Sequence, residues 1–207
     1  MSLPRVLITG GAAGIGAATA ERCREEGYDP IIIDREGSGI RADLSDPEAT
    51  AEALREALAR GPITRLVNNV GMVCMQALLP GMKAAGFGRI VNMASRAALG
   101  KELRTAYAAS KAALVGMTRV WALELGAHGI TANAVGPGPI RTELFDRANP
   151  PGSPRTQQII DSVPVKRVGT AGDVAHAVAY LLDERSGFVT GQTLYVCGGM
   201  TVGVVDL

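Results

Sequence analysis

The chain has 207 residues, 47% of them hydrophobic and 20% charged, which fits one globular domain spanning residues 1–207 and excludes a disordered or fibrous protein. Its 21 basic and 20 acidic residues leave a formal net charge of +1, so no surface for nucleic acid or an anionic membrane is expected. Three scattered cysteines without CxxC spacing and two histidines far from them in sequence argue for reduced thiols in a cytoplasmic protein, against a disulfide framework and against a metal site.

The first apolar run, residues 5–9, is continuous and β-branched, the pattern of a strand buried on both faces. It meets glycine too soon for a signal peptide, and no run approaches the roughly 20 apolar residues of a membrane span. It leads into Gly10, Gly14 and Gly16 and then into an Ala-rich helix expected over 14–27. Strand, glycine turn and helix in that order suit a dinucleotide cradle, in which backbone and helix amides approach a pyrophosphate. Glycines needed only for strand–helix packing are the plainer alternative.

The second strand, 30–34, ends on Asp34 about 20 residues beyond the cradle, where a carboxylate accepts both ribose hydroxyls and repels a 2′-phosphate. That favours NAD over NADP, although the adjacent Arg35 could pair with a 2′-phosphate. A short run at 39–44 suits an edge strand. Asp43 could lie near adenine or simply cap or face solvent. Ser45, Asp46 and Pro47 open a helix over 47–60 with a cap and a first-turn proline.

Further strands are expected at 65–70, 89–94, 129–135 and 193–197, with helices at 74–85, 106–128 and 171–182; Thr170 to Asp173 reads as a capping box for the last helix. Alternating strand and helix predicts an α/β fold, a doubly wound parallel sheet with helices on both faces. Residues 136–154 hold five prolines and read as a lid or binding loop. His128 reads as a cap at the end of its helix, and Trp121 as core or interface.

Tyr107 and Lys111 stand four apart on the helix at 106–128 and share a face, with Ser95 upstream after a strand. A phenol titrates near 10, and a neighbouring ammonium stabilises the phenolate, which makes a general acid/base near neutral pH. Ser95 could hold a substrate oxygen beside that hydroxyl. A surface helix contact is the plainer reading of the pair alone, and the cradle upstream weighs against it.

Thr9 to Gly16, Asn68-Asn69-Val70-Gly71, Ser95, Tyr107-Ala108-Ala109-Ser110-Lys111 and Pro137-Gly138-Pro139-Ile140-Arg141-Thr142 together resemble the short-chain dehydrogenase/reductase family over nearly the whole chain. The resemblance implies a Rossmann-type sheet and Ser95, Tyr107 and Lys111 as catalytic group. It implies cofactor contacts from Gly10, Gly14, Ile15, Gly16, Asp34, Asp43, Leu44, Asn69, Gly71, Tyr107, Lys111, Pro137, Gly138, Ile140 and Thr142. Asn68 would brace the central strand, and a homodimer or homotetramer would be usual. Arg96, Arg104, Arg141, Arg147 and Arg155 fall in segments that border the pocket in this family, where they would suit an anionic group or else be solvated.

One departure stands out. The family normally carries a longer segment between Gly71 and Ser95, with an asparagine completing a catalytic tetrad, and residues 72–87 contain no asparagine. A natural shortening and a segment missing from the sequence both account for this, and a helix over 74–85 still allows the parallel crossover. The function implied is an NAD-dependent oxidoreductase interconverting a secondary alcohol and a ketone, with Tyr107 as acid/base and a small-molecule substrate. The alternatives are an NADPH-dependent 3-oxoacyl-thioester reductase and a nucleotide-binding protein whose turnover the short segment has impaired.

Overall fold

Continuous apolar strands bury both faces, and the structure, a computed structural model that describes residues 3–70 and 74–203, shows how. In chain order the elements are β1 (Arg5–Thr9), α1 (Gly14–Glu25), β2 (Asp29–Asp34), β3 (Ile40–Arg41), α2 (Pro47–Ala59), β4 (Arg65–Asn68), α3 (Cys74–Ala85) and β5 (Gly88–Met93). They continue with α4 (Thr105–Leu125), β6 (Ile130–Pro137), β7 (Ile140–Arg141), α5 (Glu143–Ala148), α6 (Pro154–Ser162), β8 (Gly169–Thr170), α7 (Ala171–Leu182) and β9 (Thr193–Val196).

Seven strands pair in parallel in the order β3-β2-β1-β4-β5-β6-β9. The chain winds outward from β1 to β3, then returns to place β4 on the other side of β1. The reversal between β1 and β4 is a topological switch point, where doubly wound sheets open a crevice at the carboxyl ends of their strands. β7 and β8 form a separate parallel pair.

Leu7, Ile31, Ile33 and Leu66 pack beneath α2, α3 and α4, where Leu54, Leu78, Met82 and Trp121 meet them. Val6, Ile8, Val67, Val91 and Val135 pack on the opposite face against Ala20 and Cys23 of α1 and Val174, Val178 and Leu182 of α7. Consecutive strand residues thus face opposite cores, which is why the runs do not alternate with polar residues. Truncating a fully buried leucine such as Leu66 to alanine costs about 2–5 kcal/mol.

The helix starts form as their residues dictate. Asp46 accepts from the amides of Glu48 and Ala49 with Pro47 in the first turn, and Thr170 and Asp173 close a reciprocal capping box. The short crossover closes as a helix at α3. Two expectations need correction. Residues 136–154 are not one irregular loop, because the end of β6, β7 and α5 lie within them and α6 begins at Pro154. Nor does the His128 side chain provide a cap: α4 ends at Gly126, whose amide donates to the Ala122 carbonyl, and the 3-10 turn Gly126–His128 that follows closes at Gly129, which takes φ 72° and donates its amide to the Gly126 carbonyl.

Candidate active site

Parallel pairing brings the carboxyl ends of the strands to one edge, and there the expected residues gather. Gly10 follows β1, Asp34 ends β2, Asn69 follows β4, Ser95 lies two residues beyond β5, and Pro137 ends β6. Gly71 lies outside the described residues.

The cradle is built by close approach. A side chain at Gly16 would run into the Gly10 carbonyl, and Gly14 takes φ 54°, a left-handed conformation that glycine adopts at no steric cost. Ala13 caps α1 without a side-chain hydrogen bond, and no acid lies in the first turn, which leaves the leading amides of α1 without a side-chain partner. Such free amides at the positive end of a helix suit the pyrophosphate of a dinucleotide. Asn69 donates Nδ2 to the Gly10 carbonyl at 3.0 Å, and the Val70 amide donates to Thr9 Oγ1 at 2.9 Å, so β4 holds the turn from its far side.

Asp34 is joined to this turn. Its Oδ2 accepts from the Ala12 amide at 2.9 Å and its Oδ1 from the Glu36 amide at 3.3 Å, which fixes the carboxylate beside the cradle. Asp43 is engaged otherwise: its Oδ1 accepts from the Ser45 amide at 2.9 Å and the Ser45 hydroxyl at 2.7 Å, and these bonds hold its carboxyl below the usual carboxylate range. These bonds close a local turn two residues long, and the cap of α2 is Asp46. The side chains of Ile15 and Leu44 are partly buried and pack against the two cores.

On the other side of the crevice, the Gly138 amide donates to the Val196 carbonyl at 2.9 Å, and a Cβ at Gly138 would lie 2.8 Å from Cys197 Cα. Ile140 is buried in the core under α7, while Thr142 caps α5 by accepting from the Phe145 amide at 3.2 Å. A Cβ at Gly14 would lie 3.6 Å from Thr142 Cγ2, so the post-β6 segment borders the cradle.

Ser95 Oγ accepts from the Ala97 amide at 3.1 Å and caps a single 3-10 turn, Arg96–Leu99, that packs on α4. The hydroxyl hydrogen remains available to donate. Tyr107 and Lys111 occupy the first two turns of α4, with the Lys111 ammonium 5.9 Å from the centre of the Tyr107 ring. Tyr107 is 46% exposed, which leaves its hydroxyl open to a substrate. Lys111 is half-buried and donates Nζ to the Met93 carbonyl at 2.8 Å; burial pushes its pKa down.

Sequence reasoning missed that carbonyl, because a backbone acceptor has no residue signature. It also missed a buried ladder beneath the site. Asn68 Nδ2 donates to Asn92 Oδ1 at 2.9 Å, Asn92 Nδ2 to Thr118 Oγ1 at 2.8 Å, and Thr118 to the Leu114 carbonyl at 2.7 Å. Two asparagines near the ends of successive strands, which fall in register on β4 and β5, were the available signal.

Two family profiles match the chain: one described as short chain dehydrogenase over residues 4–74, the other as Enoyl-(Acyl carrier protein) reductase over residues 71–201. The chain belongs to the short-chain dehydrogenase/reductase family. As a short-chain dehydrogenase/reductase it is an NAD(P)-dependent oxidoreductase. The (2S)-[(R)-hydroxy(phenyl)methyl]succinyl-CoA dehydrogenase subunit BbsD of Thauera aromatica is 36% identical over 95% of this chain and 96% of its own length. A 3-oxoacyl-[acyl-carrier-protein] reductase FabG of Staphylococcus epidermidis is 30% identical over 94% of this chain and 97% of its own. Among solved structures, levodione reductase superposes with a TM-score of 0.90 at 28% identity, covering 97% of this chain and 98% of that one. A blue fluorescent protein from a metagenomic library, solved with NADPH, gives 0.82 at 32% identity, covering 96% and 98%.

The alignment with BbsD runs over 241 positions although this short-chain dehydrogenase/reductase has 207 residues, so the relative carries residues that this chain lacks. The two profiles meet at residues 71–74, where the crossover into α3 is short. Among the described residues no group of histidine, cysteine, aspartate or glutamate could hold a metal ion, and no helix is long and apolar enough to cross a membrane.

Proposed function

We propose that this protein interconverts a secondary alcohol and a ketone with NAD(H), and that Tyr107 moves the hydroxyl proton. The observation that carries this reading is the placement of Tyr107 and Lys111 on the leading turns of α4, beside the turn capped by Ser95 and at the same sheet edge as the Gly10–Gly16 cradle. The Gly10–Gly16 cradle and Asp34 would hold the dinucleotide, which when bound would supply the hydride acceptor or donor. Ser95 donates its hydroxyl to the substrate oxygen and holds it near the Tyr107 phenol, and the Lys111 ammonium stabilises the phenolate as the proton leaves.

Asp34 supports NAD over NADP: a carboxylate fixed by the Ala12 amide suits two ribose hydroxyls and repels a phosphate. The 3-oxoacyl-[acyl-carrier-protein] reductases among the relatives and the structure solved with NADPH favour a second reading, an NADPH-dependent reductase of 3-oxoacyl thioesters. A nucleotide-binding protein without turnover is the third, favoured by the short crossover. The proposal includes a single domain, a homo-oligomer and a cytoplasmic location.

Steady-state kinetics with both cofactors separates these readings. The first expects kcat/KM to favour NAD, with Asp34→Ala narrowing the preference and Tyr107→Phe removing turnover while cofactor binding persists. Preference for NADPH by the unmodified protein supports the second. Cofactor binding without alcohol-dependent reduction in the unmodified protein supports the third.

A further inference from the structure

The buried face of α4 reads Leu114, Thr118, Trp121 and Leu125, so a single hydroxyl stands among apolar side chains. Apolar contact has no direction, and it holds a helix on a sheet without fixing its height or rotation. A hydrogen bond fixes both, because it tolerates only a narrow range of distance and angle. Thr118, fully buried, makes such a bond: its Oγ1 accepts from Asn92 Nδ2 at 2.8 Å and donates to the Leu114 carbonyl one turn back at 2.7 Å. Asn92 is fully buried as well, and its Oδ1 accepts from Asn68 Nδ2 at 2.9 Å, so the donor to Thr118 is itself held in one orientation.

The same strand and helix carry the candidate catalytic group. Asn92 immediately precedes Met93, whose carbonyl accepts from Lys111, and Thr118 follows Lys111 by about two turns on the same face of α4. One tie leaves a helix free to pivot about it; two ties, set two turns apart on α4, do not. At the other end of the ladder, Asn68 adjoins Asn69, which donates to the Gly10 carbonyl of the cradle at 3.0 Å. The cradle and the height of α4 are thus hung on consecutive residues of one chain segment. The arrangement carries a cost, since Asn68 Oδ1 is buried without a hydrogen-bond partner among the described residues. Apolar side chains in place of Asn68, Asn92 and Thr118 would avoid that cost and give up the direction.

We propose that Thr118 and Asn92 are positioning residues: their buried bond sets the height of α4 on β5, and so holds Lys111 at the Met93 carbonyl and Tyr107 beside the turn that Ser95 caps. The proposal rests on the reading of Tyr107 and Lys111 as the catalytic pair, and it assigns a part in the reaction to two residues buried out of reach of any substrate. Loss of the Thr118 hydroxyl leaves Asn92 Nδ2 buried and unpaired, a state that α4 relieves by moving. A hydrogen-bonded helix moves as a unit, so a displacement at Thr118 is carried to Lys111 and Tyr107.

The test compares Thr118→Val, which puts a methyl where the hydroxyl stood, with Thr118→Ser, which keeps the hydroxyl. Leu54→Val, in the core beneath α2, lowers stability without touching the ladder and is the control. Measured on each full-length protein are kcat for ethyl 3-oxobutanoate and 3-oxobutanoyl-coenzyme A with NADH and with NADPH, cofactor Kd by fluorescence, melting temperature, and the titration of the Lys111 ε carbon by NMR, assigned with Lys111→Arg. Thr118→Val should lower kcat about 10–100-fold, as expected for reacting groups displaced by about an ångström, and leave cofactor Kd within about twofold. Burial pushes the Lys111 pKa down, so in Thr118→Val the ammonium should titrate at higher pH, toward an exposed lysine, as α4 shifts from β5. Thr118→Ser should restore both, and Leu54→Val should lower the melting temperature alone. Thr118→Ala removes the same hydroxyl and takes the place of the valine variant should that one not fold. A Thr118→Val protein that melts lower with kcat and Lys111 titration unchanged overturns the proposal, and so does a serine variant as impaired as the valine one. Full turnover in Tyr107→Phe sinks the catalytic reading and leaves the positional one to the Lys111 titration, which needs no turnover. A shift in the valine variant that serine reverses then keeps the positioning role standing, and no shift overturns it.

Discussion

The Lys111 ammonium reaches the Met93 carbonyl at 2.8 Å, so the helix that carries Tyr107 is tied to the strand that leads into Ser95. In this chain the short crossover supplies no asparagine before β5, and a main-chain oxygen holds the lysine directly. The tie has a mechanistic consequence: the charge sits at a set height on α4, one turn from the phenol.

Lys111→Met should remove that charge while keeping much of the side chain's bulk. Turnover is expected to fall by about 10²–10⁴, the range of a lost acid/base contribution, with a smaller change in cofactor affinity. Burial lowers the pKa of Lys111, so the ammonium is lost at lower pH than in an exposed lysine, and the basic limb of the unmodified enzyme's kcat profile should reflect this. Stopped assays across pH, with Lys111→Arg as the partner that keeps the charge, check both points. A methionine variant with unchanged kcat removes the lysine from the mechanism.

Gly16→Ala tests the cradle. The added Cβ meets the Gly10 carbonyl, which also accepts from Asn69, so backbone must move on two sides of the turn. Overpacking of this kind costs about 1–3 kcal/mol, and it should lower both thermal stability and affinity for NADH. Gly81→Ala is the counterpart, since a Cβ there meets nothing within 4 Å and Gly81 lies inside α3. Removing a glycine from a helix interior should stabilise by about 1 kcal/mol. Thermal melts and NADH fluorescence titrations of the two variants should therefore move in opposite directions or separate the cradle from the rest.

The elements were legible where local chemistry decides them. Val6-Leu7-Ile8 followed by spaced glycines announced β1 and the cradle, and Asp46-Pro47 and Thr170–Asp173 announced two helix starts. What sequence spacing does not carry is contact across the sheet. The Asn68–Asn92–Thr118 ladder joins residues 24 and 26 positions apart, and its partners are set by strand register and by the height of α4. The segment at 136–154 misled for a different reason: its prolines mark chain reversals around short elements, and composition alone does not distinguish these from an open loop.

Asp173 offers a pH test of the fold. Its Oδ2 accepts from Arg167 Nη1 at 2.8 Å, the Thr170 amide at 2.7 Å and the Thr170 hydroxyl at 3.0 Å. The Arg167 guanidinium foremost, with the Thr170 amide, holds its carboxyl far below the usual range. A depressed folded-state pKa contributes stability that is fully present above the unfolded value of about 3.9 and is lost as pH falls through the folded one. Asp173→Ala should therefore cost about 1 kcal/mol at neutral pH, the scale of a lost cap, and the gap to the unmodified protein should narrow only below about pH 4. Urea unfolding from pH 7 to pH 2 measures it, and a gap independent of pH shows that the carboxylate charge contributes nothing.

Burial decides the reactivity of the thiols. Cys74 is the first residue of α3, where a helix dipole favours a thiolate, yet desolvation among Met75, Leu78 and the sheet pushes its pKa up to about 11. Cys23, on the face of α1 that packs against the sheet, is pushed up to about 12 by burial, against the opposing charges of Arg24 and Arg65. A dipole contributes a fraction of a kcal/mol to about 1 kcal/mol near a surface, and removal of a thiolate from water costs more, so both cysteines stay protonated at neutral pH. Thiol reagents should therefore label Cys23 and Cys74 slowly in the native protein and rapidly after unfolding in urea. Because Cys74 opens the helix of the short crossover, its labelling rate relative to Cys23 reports local opening there. Equal protection means that α3 opens only with the whole sheet, and faster labelling of Cys74 means that the crossover opens on its own.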